Sequence, residues 1–199
     1  AHNIPRFVGK LMPPQHAACS SHQLNEMLNA NEQNQKAFVD GYKAHGMKLD
    51  YWWMDAGWYP NNGGWYSTGT WEVDKTRFPN GLKAISDHAR QQGVKTLVWF
   101  EPERVHPGTW LFNEKPQWML RLKDDPNACT LLNLGDKEAC SWLTDHINGM
   151  LDKQGIDFYR QDYNINPLQY WRDTDAPDRQ GIAENLYVQG YLAYWDGLK

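Results

Sequence analysis

Three stretches of this chain share one construction, and that construction narrows the folds open to it. Gly46 leads into Leu49-Asp50-Tyr51-Trp52-Trp53-Met54 and ends at Asp55. Gly93 leads into the run from Val94 to Phe100 and ends at Glu101, with Glu103 close behind. Gly155 leads into Ile156-Asp157-Phe158-Tyr159-Arg160-Gln161 and ends at Asp162, two residues before Asn164. A glycine after a helical pattern reads as a helix C-cap, and short runs rich in β-branched and aromatic residues read as strands. Strands are therefore predicted over 49–55, 94–101 and 156–162, each preceded by a helix. Such alternation argues for a parallel sheet, in which ligands and catalytic groups gather at the C-terminal strand ends. Polar groups at the end of a buried strand are costly unless they meet water or a ligand. Three carboxylates so placed suggest one acidic site; the alternative makes them unrelated caps of the helices that follow.

The intervening segments support the alternation. Asn31 is a plausible N-cap for a helix over 32–45, with Ala37, Phe38 and Tyr42 on its apolar face and Gly46 as its stop. Phe78-Pro79-Asn80-Gly81 opens a second helix, with Leu82, Ile85 and Ala89 on one side. Asp136 caps a third over 137–154, where Trp142, Leu143, Ile147, Met150 and Leu151 repeat at helical spacing. Asp178 caps a fourth over 179–198, with Ile182, Leu186, Tyr187, Tyr191 and Trp195 expected inside. Residues 1–30 read as irregular, with a weak strand signal at Ala17 and Ala18, and Leu131–Leu134 reads as a short strand. The aromatic loop over 57–71 is of a length that is usually functional. No Gly-x-Gly-x-x-Gly motif supports a doubly wound nucleotide-binding sheet. A (β/α)8 TIM barrel fits better, but such barrels need about 250 residues and only about four strand–helix units are legible. The expectation is one α/β catalytic domain over 1–199, the first half of a barrel truncated at its C-terminus.

Composition removes other classes. A net charge of −4 with no basic block argues against nucleic acid. No apolar run approaches the roughly 18 residues of a membrane span. Cys19, Cys129 and Cys140 have the wrong parity for a disulfide framework, and no metal-ligand spacing is present, so neither metal nor cofactor is expected. Eleven tryptophans are unusual; their faces stack on sugar C–H groups, while the same character suits a core. Trp52, Trp53, Trp58, Trp65 and Trp99 lie in or beside the acid-bearing strands, which favours a carbohydrate partner.

The residues Tyr51-Trp52-Trp53-Met54-Asp55-Ala56-Gly57-Trp58, Arg77-Phe78-Pro79-Asn80-Gly81-Leu82, Leu97-Val98-Trp99-Phe100-Glu101-Pro102-Glu103-Arg104-Val105 and Tyr159-Arg160-Gln161-Asp162-Tyr163-Asn164 occur in an order that resembles glycoside hydrolase family 36, the melibiase-type α-galactosidases. The resemblance covers roughly residues 30–199. It implies a retaining, exo-acting α-glycosidase on a β/α barrel that removes terminal α-galactosyl residues through a covalent glycosyl-enzyme. On the family pattern Asp162 is the nucleophile. Asn164, Arg160, Asp55, Trp53, Trp58, Trp99 and Glu101 would bind or line the sugar site, and the acid/base is expected beyond Lys199. The family motif has Lys where Arg160 stands and a second Asp where Ala56 stands, so an α-N-acetylgalactosaminidase is the alternative within the family. A homo-oligomer is allowed for the full-length protein. Two readings from other classes stay open. One is a divalent-metal-dependent barrel enzyme using Asp55, Glu101 and Asp162; the other is a non-catalytic sugar-binding module built on the Trp-rich loop.

Overall fold

A computed structural model of the chain describes residues 15–20, 27–65 and 67–198; the remainder of the irregular lead expected over 1–30 lies outside the described residues. Along the chain run β1 (Ala17–Cys19), α1 (Glu32–Ala44), β2 (Tyr51–Met54), α2 (Lys83–Gln91), β3 (Lys95–Phe100), β4 (Arg104–Val105), α3 (Trp110–Glu114), a 3-10 turn at Pro116–Trp118, β5 (Met119–Leu120), β6 (Thr130–Leu132), α4 (Lys137–Gln154), β7 (Phe158–Gln161), α5 (Leu168–Thr174) and α6 (Ile182–Gly197).

The main sheet is parallel in the order β1-β2-β3-β7, with Cys19, Trp53, Leu97 and Phe158 in one row across it. The helices α1, α2, α4 and α6 follow these strands and contact one another in the same order. This is the expected series of strand–helix units, a partial β/α barrel. Side chains alternate along a strand. Trp52, Met54, Val98 and Phe100 are buried on one face, whereas Tyr51, Trp53, Leu97 and Arg160 on the other are only half-buried, and Phe158 is 54% exposed.

Local chemistry explains the helix ends. Asn31 and Asn34 form a reciprocal capping box at the start of α1, and Asp136 accepts from the backbone N–H groups of Glu138 and Ala139 at the start of α4. Gly155 closes α4 in the left-handed conformation, as a C-capping glycine should.

Three expectations need correction. The last helix starts at Ile182, not 179, and Asp178 does not cap it; Asp175 instead accepts from the N–H groups of Gly181 and Ala183. Its inner face is Tyr187, Gly190, Tyr191 and Tyr194, while Ile182, Leu186 and Trp195 are 38%, 48% and 41% exposed. The short strand near Leu131 exists as β6, but in a separate antiparallel sheet, β4-β6-β5, inserted between β3 and α4.

Candidate active site

Asp55, Glu101 and Asp162 each stand one residue past the end of a parallel strand. Met54 pairs with Val98 and Phe100 pairs with Gln161, so Asp55 stands level with Trp99 and Arg160, and Glu101 level with Asp162. Neighbouring strands lie about 4.8 Å apart, which puts the backbones of Asp55 and Arg160, level with each other and two strands apart, about 10 Å from each other, with Asp162 two residues, or about 7 Å, further along the strand direction. The Cys19 thiol reports the same cluster: burial pushes it up, the Asp55 charge adds to that, and the Arg160 charge opposes it.

Asp162 is half-buried and densely hydrogen-bonded. Its Oδ2 accepts from Trp99 Nε1 and from Asn164 Nδ2, both at 3.1 Å, and its Oδ1 accepts from the Tyr163 N–H at 2.9 Å. Burial by itself would raise this carboxyl. The Asn164, Trp99 and Tyr163 bonds, with the Arg160 charge, outweigh it and hold Asp162 below the usual carboxylate value. Bonds donated to the charged form favour ionisation, so this group is an anion at neutral pH. Arg160 lies over the Trp53 ring, 4.0 Å from its centroid, which fixes a positive charge beside Asp162 on the open face of the sheet.

The other acids are treated differently. Glu101 is fully buried; its Oε2 accepts from Arg104 Nη2 at 2.6 Å and its Oε1 from the Asn164 N–H at 3.0 Å. Glu101, expected to line the sugar site, is thus turned toward Arg104 and the Asn164 backbone in this structure. Its carboxylate braces the turn that carries Asn164, and burial raises its pKa despite Arg104 and Asn164. Both oxygens being engaged also takes Glu101 out of the three-acid metal set. Among the described residues no group of three or more His, Cys, Asp or Glu is placed to hold a metal ion. Glu103 is buried too, its Oε1 accepting from Gln161 Nε2 at 2.8 Å.

The tryptophans also divide. Trp58 is fully buried, its Nε1 donating to the Trp99 carbonyl at 2.9 Å and its ring edge-on to Phe100 at 5.2 Å. Trp58, expected to line the sugar site, is packed in the core of this structure, and Trp52 is likewise buried under Phe38. Trp71, whose part no sequence signal revealed, joins Tyr59 and Trp99 at centroid distances of 5.4 and 5.9 Å. This aromatic block pins the long loop against the end of β3. Trp99 is largely buried within it and reaches the site through its N–H. Trp53 and Trp65 remain half-buried.

Asp55 accepts from the Ala56 N–H at 2.8 Å. Gly57 follows with φ +100°, and a Cβ there would stand 2.7 Å from the Met27 carbonyl, so the chain can turn beside Asp55 only with glycine. Asp173 and Asp175, the acids next along the chain, are occupied by the Lys123 N–H and by the start of α6.

Known proteins resemble this chain in sequence and in fold. The Melibiase family model matches residues 25–198. α-Galactosidase Mel36A of Lactobacillus acidophilus is 32% identical over 166 residues, which is 81% of this chain and 22% of that protein. An α-galactosidase from Lactobacillus brevis superposes with a TM-score of 0.79 at 20% identity, covering 92% of this chain and 25% of that one. The GH36 α-galactosidase AgaA of Geobacillus stearothermophilus, in a variant complexed with raffinose, superposes at 0.75 with 21% identity, covering 85% and 24%. These superpositions show the same barrel fold. The chain spans about a fifth of the length of the curated relatives it matches. With the family model extending from Gly57's approach to Met27 through the Asp162 turn to the end of α6, this chain belongs to the Melibiase family.

Proposed function

We propose that this chain carries the nucleophile-bearing part of a retaining α-galactosidase site. The observation that carries the reading is the contrast among the strand-end acids. Asp162 is accessible and held ionised by Trp99, Asn164 and Tyr163, whereas Glu101 and Glu103 are buried with raised pKa values. Environments that push neighbouring carboxyls apart in this way separate their roles.

A retaining glycosidase uses two carboxyl groups, standing about 5–5.5 Å apart. Asp162 would attack the anomeric carbon as the carboxylate and form a glycosyl-enzyme; a protonated partner would protonate the leaving oxygen and later activate water. Asp162 Oδ2 is pinned by two donors, which limits its freedom before attack. Arg160 and Asp55, level with each other on the open face, would hold sugar hydroxyls. The galactose configuration rests on the relatives, which are α-galactosidases. Ala56 in place of a second acid removes one hydroxyl acceptor, and a guanidinium at Arg160 gives a planar fork where an ammonium gives a point charge.

A substrate that needs no proton donor isolates the nucleophilic step. With 2,4-dinitrophenyl α-galactoside, whose leaving group departs as a stable phenolate, the chain should release a burst of one phenolate per molecule. Asp162→Asn should release none. Equal release by both chains, or none by a folded wild-type chain, would remove Asp162 from the role.

A further inference from the structure

Two buried carboxyls hold the Asp162 turn, and both come from one short run, Glu101-Pro102-Glu103, that follows β3. Side chains alternate along a strand, so Gln161 and Asp162 leave β7 on opposite faces of the sheet. Glu103 holds the first of them, its Oε1 accepting from Gln161 Nε2 at 2.8 Å. Glu101 holds the chain beyond the second. Its Oε1 accepts from the Asn164 N–H at 3.0 Å, while its Oε2 accepts from Arg104 Nη2 at 2.6 Å. Asp162 itself is tied to the end of β3 by its N–H, which donates to the Phe100 carbonyl at 2.8 Å.

Of the two glutamates, Glu101 is the one linked to the attacking carboxylate. Asn164 donates its backbone N–H to Glu101 and its side-chain Nδ2 to Asp162 Oδ2, the latter at 3.1 Å. One residue thus joins a buried carboxylate to the reactive one, and a relay runs from Arg104 through Glu101 and Asn164 to Asp162. Asn164 is exposed, and these two are its only hydrogen bonds among the described residues. Its position therefore depends on Glu101. Glu101 is in turn fixed, because it is fully buried and its charge is matched by a guanidinium that is itself mostly covered. A buried carboxylate keeps its place when cation and backbone donor together engage both oxygens.

We propose that Glu101, oriented by Arg104, is a positioning residue for the nucleophile: by fixing Asn164 it fixes the donor that holds Asp162 Oδ2 in place. The inference rests on the reading of Asp162 given above.

Burst kinetics with 2,4-dinitrophenyl α-galactoside test it, since the amplitude counts competent chains and the rate constant reports the geometry of attack. A glutamine at position 101 has one acceptor oxygen, so it can serve Arg104 or the Asn164 N–H but not both. Glu101→Gln should keep the amplitude and lower the rate constant roughly tenfold or more. The acid limb should also move to higher pH, because a loosened Asn164 donor raises the Asp162 pKa. Loss of the Glu101 charge alone would ease ionisation of Asp162 and move the limb the other way. Glu103→Gln, the same change two residues away, should leave both rate constant and limb in place. A fall in amplitude alone, a limb that stays or moves to lower pH, or equal slowing in Glu103→Gln overturns the proposal. Should Glu101→Gln fail to fold, Arg104→Met, which removes the donor that orients Glu101, decides: its rate constant should fall, and a wild-type value overturns the proposal. Absence of an Asp162-dependent burst in the wild-type chain would overturn the nucleophile reading and this inference with it. A burst that Asp162→Asn abolishes and Glu101→Gln leaves unchanged overturns this inference alone.

Discussion

The nucleophilic role proposed for Asp162 requires a carboxylate that is ionised and held still, and Trp99 contributes to both. Its indole is locked between Tyr59 and Trp71, and only its N–H reaches the carboxylate, at 3.1 Å. A hydrogen bond to a charged group is worth about 1.5–3 kcal/mol, and a phenylalanine keeps most of the packing while deleting the donor. In Trp99→Phe the burst rate with 2,4-dinitrophenyl α-galactoside should fall roughly 10- to 100-fold. The pH profile carries the sign. A bond donated to the ionised form lowers the Asp162 pKa, so its removal raises that pKa, and the acid limb of the burst rate should move to higher pH. An acid limb that stays in place would show that Trp99 merely fills space. The sequence placed Trp99 beside the acids but could not reveal this contact. Its neighbour in register is Arg160, and the reach to Asp162 depends on a side-chain orientation that the loop tryptophan Trp71 helps to fix.

At the scale of elements, α6 depends on one close approach. A Cβ on Gly190 would lie 1.7 Å from the Leu134 carbonyl oxygen, so this turn of the helix rests directly on the chain that leaves β6. The Cys140 thiol and the Asn148 amide bind the Gly190 and Gly197 carbonyls from α4 along the same seam. Gly190→Ala should therefore destabilise the chain by about 1–3 kcal/mol or more in urea unfolding. Gly149→Ala on α4, where a Cβ meets nothing within 4 Å, should instead be neutral or stabilising, since it only reduces unfolded-chain freedom. Equal effects of the two would contradict the docking. Elements with strong local signals were readable without coordinates. Asn31 and Asp136 mark the starts of α1 and α4, and Gly155 marks an end. The two-residue strands β4 and β5 are too short to show a period of two, and α5 hides behind Pro167, so neither was legible. The exposed flank of α6 misled because Ile182, Leu186 and Trp195 mimic a buried stripe, while the true contact runs through tyrosines and a glycine.

For the whole molecule, the site is a product of distant segments held in common. Arg77 donates to the carbonyls of Leu28, Ala30, Gly57 and Tyr59 at 3.2, 2.7, 2.7 and 2.6 Å, and pairs with Asp74 at 2.8 Å. One guanidinium thus ties the approach to α1, the turn after Asp55 and the approach to α2 together, a role that its place in the family pattern did not disclose. The parallel order β1-β2-β3-β7 then delivers Asp55, Trp99, Arg160 and Asp162 to one edge of the open face. The central claim is that this assembly makes Asp162 a nucleophile toward an α-galactosyl centre. The most direct test is intact-mass spectrometry after incubation with 5-fluoro-α-galactosyl fluoride, with near-UV circular dichroism to establish folding. Fluoride leaves without a proton donor, and the 5-fluoro group slows turnover of the adduct. The account predicts one covalent glycosyl group per chain, mapping to Asp162 and absent from Asp162→Asn. A folded chain that acquires no adduct, or that carries it on another residue, would contradict the account.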